Sequence, residues 1–280
     1  MPVTALPAFL IVGVLTVAGL GGVVRTSLRQ GLLGEAGIGL AAWRRVLGDP
    51  TFRDAVGFTV WVAAASTVVA VVGAIAVASS MRRSHRGRRA LAVPVAAPHL
   101  VVATLAVVWL APGGMADRLH ATLPVGLVGN GAGWGVIVVY AAKEVPFLTL
   151  LALAALDDAT VELEETAALL GANRWQRLRD VILPRLAVPM VAGGLVVAAF
   201  VIGAVEVPLL VGPTRPEMLG PYALEVVRLD GPVARADAAV AELAASAIVG
   251  ALGAAAGVAW RQMRRRRLRR SGWPRSRWGR

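Results

Sequence analysis

Residues 58–80 read FTVWVAAASTVVAVVGAIAVASS, and residues 81–90 read MRRSHRGRRA. The first stretch carries no charge. At ~1.5 Å per residue it is long enough to cross a hydrocarbon layer about 30 Å thick. The second stretch packs in Arg82, Arg83, Arg86, Arg88 and Arg89. An uncharged span next to a short basic link predicts a membrane helix whose basic flank stays in the cytoplasm. This junction decides the fold class: an all-α integral membrane protein.

Working outward, the same criterion finds further spans on both sides. They are Leu6–Val24, roughly Leu91–Ala111, Trp134–Leu156, Leu186–Val211 and Ala238–Trp260, so the chain has about six transmembrane helices (6–24, 58–80, 91–111, 134–156, 186–211 and 238–260). Pro94 and Pro98 interrupt the third, because proline removes a backbone donor and kinks a helix. Composition agrees. The chain is 57% hydrophobic and 16% charged, with mean hydropathy +0.67. Soluble domains sit near ~45–50% apolar and ~25% charged. The first span lacks a basic leader and is longer than the apolar stretch of a signal peptide, so it reads as a retained helix.

Loop charge sets the orientation. The link 81–90 and the C-terminal tail are basic, which places both termini in the cytoplasm. Residues 261–280 hold ten arginines and no acid, against a net charge of +12 for the whole chain. This divides the chain into a membrane domain, 1–262, and a basic cytoplasmic tail, 263–280. After a long apolar run, such a tail reads as an orienting flank that can also attract anionic lipid, rather than as a nucleic-acid site. The segment 112–133, with Asp117 and Arg118, falls outside. So does 25–54, although its five arginines outnumber its three acids. There are no cysteines, which excludes disulfides and thiolate chemistry.

One inter-span segment, Asp157–Arg185, is too polar to cross a membrane and too regular to be a linker. Leu163, Ala167 and Leu170 repeat at helical spacing, with Glu162, Glu164 and Glu165 near the helix start. Gly171 is a natural stop, and Asn173 can cap a second helix. That second helix carries a stripe of Trp175, Leu178 and Ile182 among Arg174, Arg177 and Arg179. Leu183-Pro184 is expected to end it. The product is an elbow of two amphipathic helices. Two uses stay open: lying on lipid headgroups, or docking a cytoplasmic partner.

The run from Glu165 to Pro184 resembles the EAA loop of binding-protein-dependent ABC importer permeases. The pattern is E-A-A, three residues, G, nine residues, I, one residue, L-P. Glu165, Ala167, Gly171, Leu183 and Pro184 stand in register. Thr166 replaces the first alanine and Val181 the isoleucine, both mild changes. Leu47-Gly-Asp-Pro50-Thr-Phe52 with Gly57-Phe-Thr59 is similar to the family's entry to the second helix. Val205-Glu206-Val-Pro208-Leu-Leu-Val-Gly212 resembles the end of the fifth helix in the polyamine, sulfate, ferric-iron and phosphonate branch. The likeness spans Leu6 to Trp260 and excludes the arginine tail.

The resemblance implies a MetI-like ABC permease architecture with a cytoplasmic coupling-helix loop over 157–185, in a bacterial cytoplasmic membrane. It implies that Glu165, Ala167, Gly171, Leu183 and Pro184 serve ATPase coupling. It implies several partners: separate ABC ATPase subunits, a second permease subunit (identical or paralogous), an extracytoplasmic solute-binding protein and the lipid bilayer. Among the branch's solutes a polyamine-like one ranks first.

Several absences fit this picture. A phosphate-binding Walker A loop needs a lysine, and the only lysine, Lys143, lies in an apolar span after an alanine. The chain therefore binds no cofactor of its own in this reading, and ATP is used by a partner. It is a transport subunit without a catalytic motif rather than an enzyme. Gly129-Asn-Gly131-Ala-Gly133 reads as an outside turn. His85, His99 and His120 are scattered without neighbouring acids, so no metal or catalytic set is expected.

Charges inside a bilayer are costly and usually face a cavity or each other. Lys143, Glu144, Glu206 and Glu242 are the candidates for a translocation path for a small charged solute. The alternative is structural pairing, such as Lys143 with Glu206, or a shallower placement of Glu144 and Glu206. Gly253 and Gly257 form a GxxxG pair that can pack helices closely. Two other function classes remain. A secondary transporter or channel not driven by ATP would show repeats or discontinuous helices. A membrane scaffold would use the basic tail to recruit nucleic acid or lipid.

Overall fold

The computed structural model describes residues 6–30, 37–81, 85–119 and 126–270. Arg82, Arg83, His120 and the tail from Ser271 onward lie outside the described residues. Among the described residues the regular structure is helical apart from a two-residue antiparallel ladder, β1 (Arg29–Gln30) with β2 (Gly37–Ile38). The helices are α1 (Leu6–Ser27), α2 (Ala41–Gly48), α3 (Pro50–Met81), α4 (His85–Ala96), α5 (His99–Leu110), α6 (Met115–Arg118) and α7 (Trp134–Ala155). There follow α8 (Asp158–Leu169), α9 (Arg174–Arg177), α10 (Leu183–Ile202), α11 (Glu206–Val211), α12 (Leu219–Arg228) and α13 (Pro232–Arg270). Among the described residues, six stretches are long and apolar enough to cross a membrane: Leu10–Ser27, Pro50–Met81, His99–Arg118, Trp134–Ala155, Arg174–Ile202 and Pro232–Gln262.

α7 is the central post, packed between α3 and α10 and against α4 and α5. In a lipid solvent helices gain little from hiding apolar surface, so close backbone approach and good packing carry the association. α3 presents Ala70, Ala74 and Ala78, all buried, at four-residue spacing. Beside them, a Cβ at Gly73 would stand 2.9 Å from a Val145 methyl of α7. Gly193 of α10 admits Leu148 and Leu151 of α7, which a Cβ would meet at 2.6 and 2.8 Å. The expected glycine pair on the last helix is different. Gly253 and Gly257 have nothing within 4 Å of a Cβ, so no other described element packs against them. By contrast, α1 and the stretch 250–260 of α13 are largely exposed and apolar, as lipid-facing helices are.

A second, smaller cluster forms at the end opposite the elbow. There α2, the start of α3, α12 and the start of α13 bury Val46, Phe52, Leu219, Tyr222 and Val240 together. Asp49 precedes α3 and accepts from the Thr51 N–H at 2.9 Å, with Pro50 opening the helix. Thr59 Oγ1 accepts the Leu219 N–H at 2.8 Å. Arg45 clamps Asp237 with two hydrogen bonds, at 2.7 and 3.2 Å.

Three boundaries depart from the sequence expectation. The third span is two helices, because Pro98 breaks it while Pro94 sits inside α4. The fifth is also broken: α10 stops at Ile202, and Glu206 opens the separate α11 instead of lying within one helix. Finally, Leu183-Pro184 does not end the elbow's second helix. A π-helical turn over Leu178–Ile182 bonds the Leu183 N–H to the Leu178 carbonyl. The wider turn lets proline enter where an α-turn would need its missing N–H, so the chain runs on into α10.

Candidate functional site

The elbow is built by local rules. Asp157 caps α8 by accepting from the Thr160 N–H at 3.0 Å. The helix thus starts earlier than its glutamates suggested, and Glu162, Glu164 and Glu165 sit in the second turn, beyond the N-terminal charge effect. At the other end the Gly171 N–H bonds the Ala168 carbonyl and the Ala172 N–H bonds the Ala167 carbonyl, at 3.0 and 2.9 Å. This paired closure needs a left-handed residue, and Gly171 supplies it with φ of +87°. Asn173 then opens α9 in a reciprocal capping box with Gln176, at 2.9 and 2.8 Å. Glu164 lies 3.9 Å from Arg177 across the elbow.

The outer surface of the elbow is apolar and uncovered. Leu169 is 89% exposed, Leu170 84% and Trp175 66%. Of the expected stripe only Ile182 is buried. Glu165 is exposed, Ala167 half-buried, Leu183 half-buried and Pro184 exposed. Sequence reasoning missed the base of the elbow. Arg185 reaches back to Asp157 at 3.0 Å and also bonds Thr160. Hydrogen bonds from Thr160, aided by the Arg185 charge, hold the Asp157 carboxyl below its ordinary range. The signal was there in principle, as an acid and a base flanking one loop.

The charges in the spans do not form one set. Lys143 and Glu144 on α7 are buried, 7% and 8% exposed. Lys143 does not pair with Glu206. Its Nζ donates to the Pro94 and Val95 carbonyls at 3.0 and 2.6 Å. Those carbonyls end α4, and Pro98 has no N–H to give the Pro94 carbonyl. A cation at a helix C-terminus meets both the orphan carbonyls and the negative end of the dipole. Glu144 accepts from or donates to His99 Nε2 at 2.8 Å, so His99 does have an acidic neighbour, one supplied by the fold rather than by sequence proximity. The His99 ring stacks against Phe200 at 4.5 Å and near Tyr140 at 6.1 Å. No group of three metal-ligating side chains exists among the described residues. Glu206 and Glu242 are exposed on α11 and α13, and α11 packs against α5 and α7.

At the end opposite the elbow, Asp49 accepts from the Tyr222 hydroxyl at 3.0 Å. Burial acts to raise Asp49, but bonds from Thr51 and Tyr222 outweigh it and hold the carboxyl low. Burial and the neighbouring Glu225 raise Glu217, against the pull of Arg215. The residues 129–133 form a turn there: Asn130 accepts the Ala132 and Gly133 N–H groups, and Trp61 Nε1 donates to the Ala132 carbonyl at 3.0 Å.

Comparison with known proteins agrees with this arrangement. A family described as the binding-protein-dependent transport system inner membrane component matches residues 70–228, which include the whole elbow. The inner membrane ABC transporter permease protein YnjC of Escherichia coli (strain K12) is 29% identical over 193 residues, 65% of this chain. The chain covers only 36% of that protein's length. Among solved structures, a bacterial alginate ABC transporter in complex with an alginate pentasaccharide-bound periplasmic protein matches with TM-score 0.67 and 18% identity, covering 89% of this chain and 88% of that one. A bacterial ABC transporter involved in the import of the acidic polysaccharide alginate matches with TM-score 0.65 and 19% identity, covering 90% and 91%.

Proposed function

The chain belongs to the family of binding-protein-dependent transport system inner membrane components, and on that premise we propose that it is the permease subunit of an ATP-driven importer. It forms half or part of the translocation path, with a second permease identical or paralogous to it. The energy comes from separate ATPase subunits, and an extracytoplasmic binding protein delivers the solute. Both termini and the elbow face the cytoplasm, as the arginines of 81–90 and 261–280 favour.

The observation that carries this reading is the elbow. It is closed at its base by Arg185 and Asp157, and it displays Leu169, Leu170 and Trp175, all exposed among the described residues. Such a knob suits a groove on a partner, and the direct continuation through the π-turn into α10 gives a path for its movement to reach the membrane. Glu165, Ala167 and Gly171 shape the knob, while Leu183 and Pro184 link it to the span.

The broken helices at Pro98 and Gly203 are features also found in secondary transporters, which couple to ions rather than ATP. Copurification separates the two. An ATPase should come down with this chain, and Gly171→Asp should abolish ATP-dependent uptake in proteoliposomes while the subunits still assemble. Solute flux that persists without ATP or an associated ATPase overturns the importer reading.

A further inference from the structure

At the end opposite the elbow, one acid is kept almost entirely out of water. Glu217 lies in the link between α11 and α12, outside the spans, and is only 9% exposed. It lines two neighbouring cavities, of about 350 and 630 Å³, on either side of this link. Among the described residues it forms no ion pair. Its carboxyl instead meets the Glu225 carboxyl, two turns into α12, in a hydrogen bond. Two carboxylates cannot make that bond. One oxygen must carry a hydrogen to donate, so the pair holds a proton.

Few other charges face Glu217. Arg215 belongs to the same link, Arg228 to α12, and Arg53 and Asp54 to α3. Tyr222 of α12 is also within reach of its charge. Arg53 is committed to the Gly48 carbonyl at 3.0 Å. Arg215 favours ionisation, but burial and Glu225 outweigh it and hold the Glu217 carboxyl above its ordinary value of 4.5.

The pair sits where α12 is seated. Met218, the next residue, is buried, and the Leu219 N–H donates to Thr59 Oγ1 of α3 at 2.8 Å. Gly220 lies so close to the break in the fifth span that a Cβ there would collide with the Ala204 carbonyl. The start of α12 thus rests on both α3 and residues 203–205. A second negative charge in the pair must be buried beside the first, and withdrawal of the link into water relieves that cost. We propose that Glu217 and Glu225 form a proton-binding latch, which seats the start of α12 on the broken fifth span while one proton is shared and loosens it when both carboxyls are ionised. A carboxyl raised by folding adds stability below its ordinary value, and that contribution is lost as pH rises through the raised value. The latch is therefore closed in acid and loose in alkali. That it reads the pH outside the cell rests on the topology of the importer reading; the latch itself does not.

The chain has no cysteine, so Thr214→Cys gives a single labelling site in the link, at an exposed position lining the smaller cavity. A nitroxide there, on the full chain in nanodiscs, is followed by electron paramagnetic resonance between about pH 4 and pH 9. Its motion is expected to change from slow to fast in one reversible step, at a pH above 4.5. Glu217→Gln and Glu225→Gln each remove one charge, and each should abolish the step and leave slow motion throughout. No step in the native pair, or an unchanged step in either variant, overturns the proposal. Reaction of the same cysteine with a membrane-impermeant maleimide on intact cells tests the outward placement separately. A step without that reaction keeps the latch and overturns the topology; the reaction without a step does the reverse.

Discussion

The elbow and the buried charges of α7 are both polar structures in an apolar protein, yet they are assembled in opposite ways. The elbow is stitched from neighbours. Its caps, its left-handed turn and its capping box join residues three to five positions apart, and the Arg185–Asp157 latch at its base, 28 apart, closes the loop on its own flanks. The charges of α7 are stitched across the fold. Lys143 bonds residues 48 and 49 positions away, and Glu144 meets His99 at a separation of 45. Local stitching leaves a surface free to meet a partner. Long-range stitching uses up its donors and acceptors inside the chain. Charge in a membrane segment is therefore no guide to function until its partners are known.

The largest effect expected is at Gly171. An aspartate or valine there must hold φ of +87°, costing ~1–2 kcal/mol of backbone strain, and it alters the turn between the two elbow helices. ATP-dependent uptake in proteoliposomes is expected to fall at least ~100-fold, a loss of about 2.7 kcal/mol in coupling, while thermal stability in nanodiscs falls little. A variant that transports normally breaks the view that the elbow's function lies in its shape.

Lys143 should behave in the reverse way. Lys143→Met leaves the Pro94 and Val95 carbonyls buried without a donor. Lost charged hydrogen bonds of this kind cost roughly 2–4 kcal/mol together, so the unfolding midpoint in nanodiscs should drop markedly. Lys143→Arg, which keeps charge and donors, should recover part of it. If Lys143→Met folds with unchanged stability and only transport is lost, then Lys143 belongs to a solute path after all.

This contrast also explains what the sequence could reveal. Hydrophobic length exposed all six spans, because span detection needs only a window. The elbow's cap at Asn173 and stop at Gly171 were legible for the same reason. The Pro98 break was half legible: the proline was visible, but nothing nearby said which of Pro94 and Pro98 would break the helix. The answer lay in Lys143, which stabilises the open end. His99 was set aside because no acid stands near it in sequence, while α7 places Glu144 at 2.8 Å. The GxxxG pair misled because spacing reports that two glycines share a face, and not that anything packs there. Gly73 and Gly193, which belong to no GxxxG pair, are crowded by a neighbouring helix instead.

His99 tests the long-range side more gently. His99→Phe keeps ring packing on Phe200 and removes the bond to Glu144, so it is expected to destabilise by about 1–3 kcal/mol, the cost of an unpaired buried acceptor. Glu144→Gln in the same background should restore part of the loss, because a neutral amide is easier to bury alone. A non-additive pair confirms direct contact; additive losses mean that the two residues act independently.

The smallest effect should come from the base of the elbow, and it should depend on pH. Thr160, and secondarily Arg185, hold the Asp157 carboxyl below its ordinary value of 3.8. A carboxyl lowered by folding stabilises the folded state above its unfolded value, and that contribution fades as pH falls through the lower folded value. Asp157→Asn should therefore lower stability slightly at neutral pH, and its difference from the native chain should vanish below the folded pKa. The group is at the surface, so high salt should shrink the Arg185 share. The readout is trypsin cleavage after Arg174 and Arg177, which reports opening of the elbow even where the midpoint of global unfolding does not move. Faster cleavage at neutral pH, converging with the native rate in acid (followed there with pepsin), places the latch at Asp157. A pH-independent difference instead assigns the tightening to the Asn173–Gln176 capping box, whose groups do not titrate.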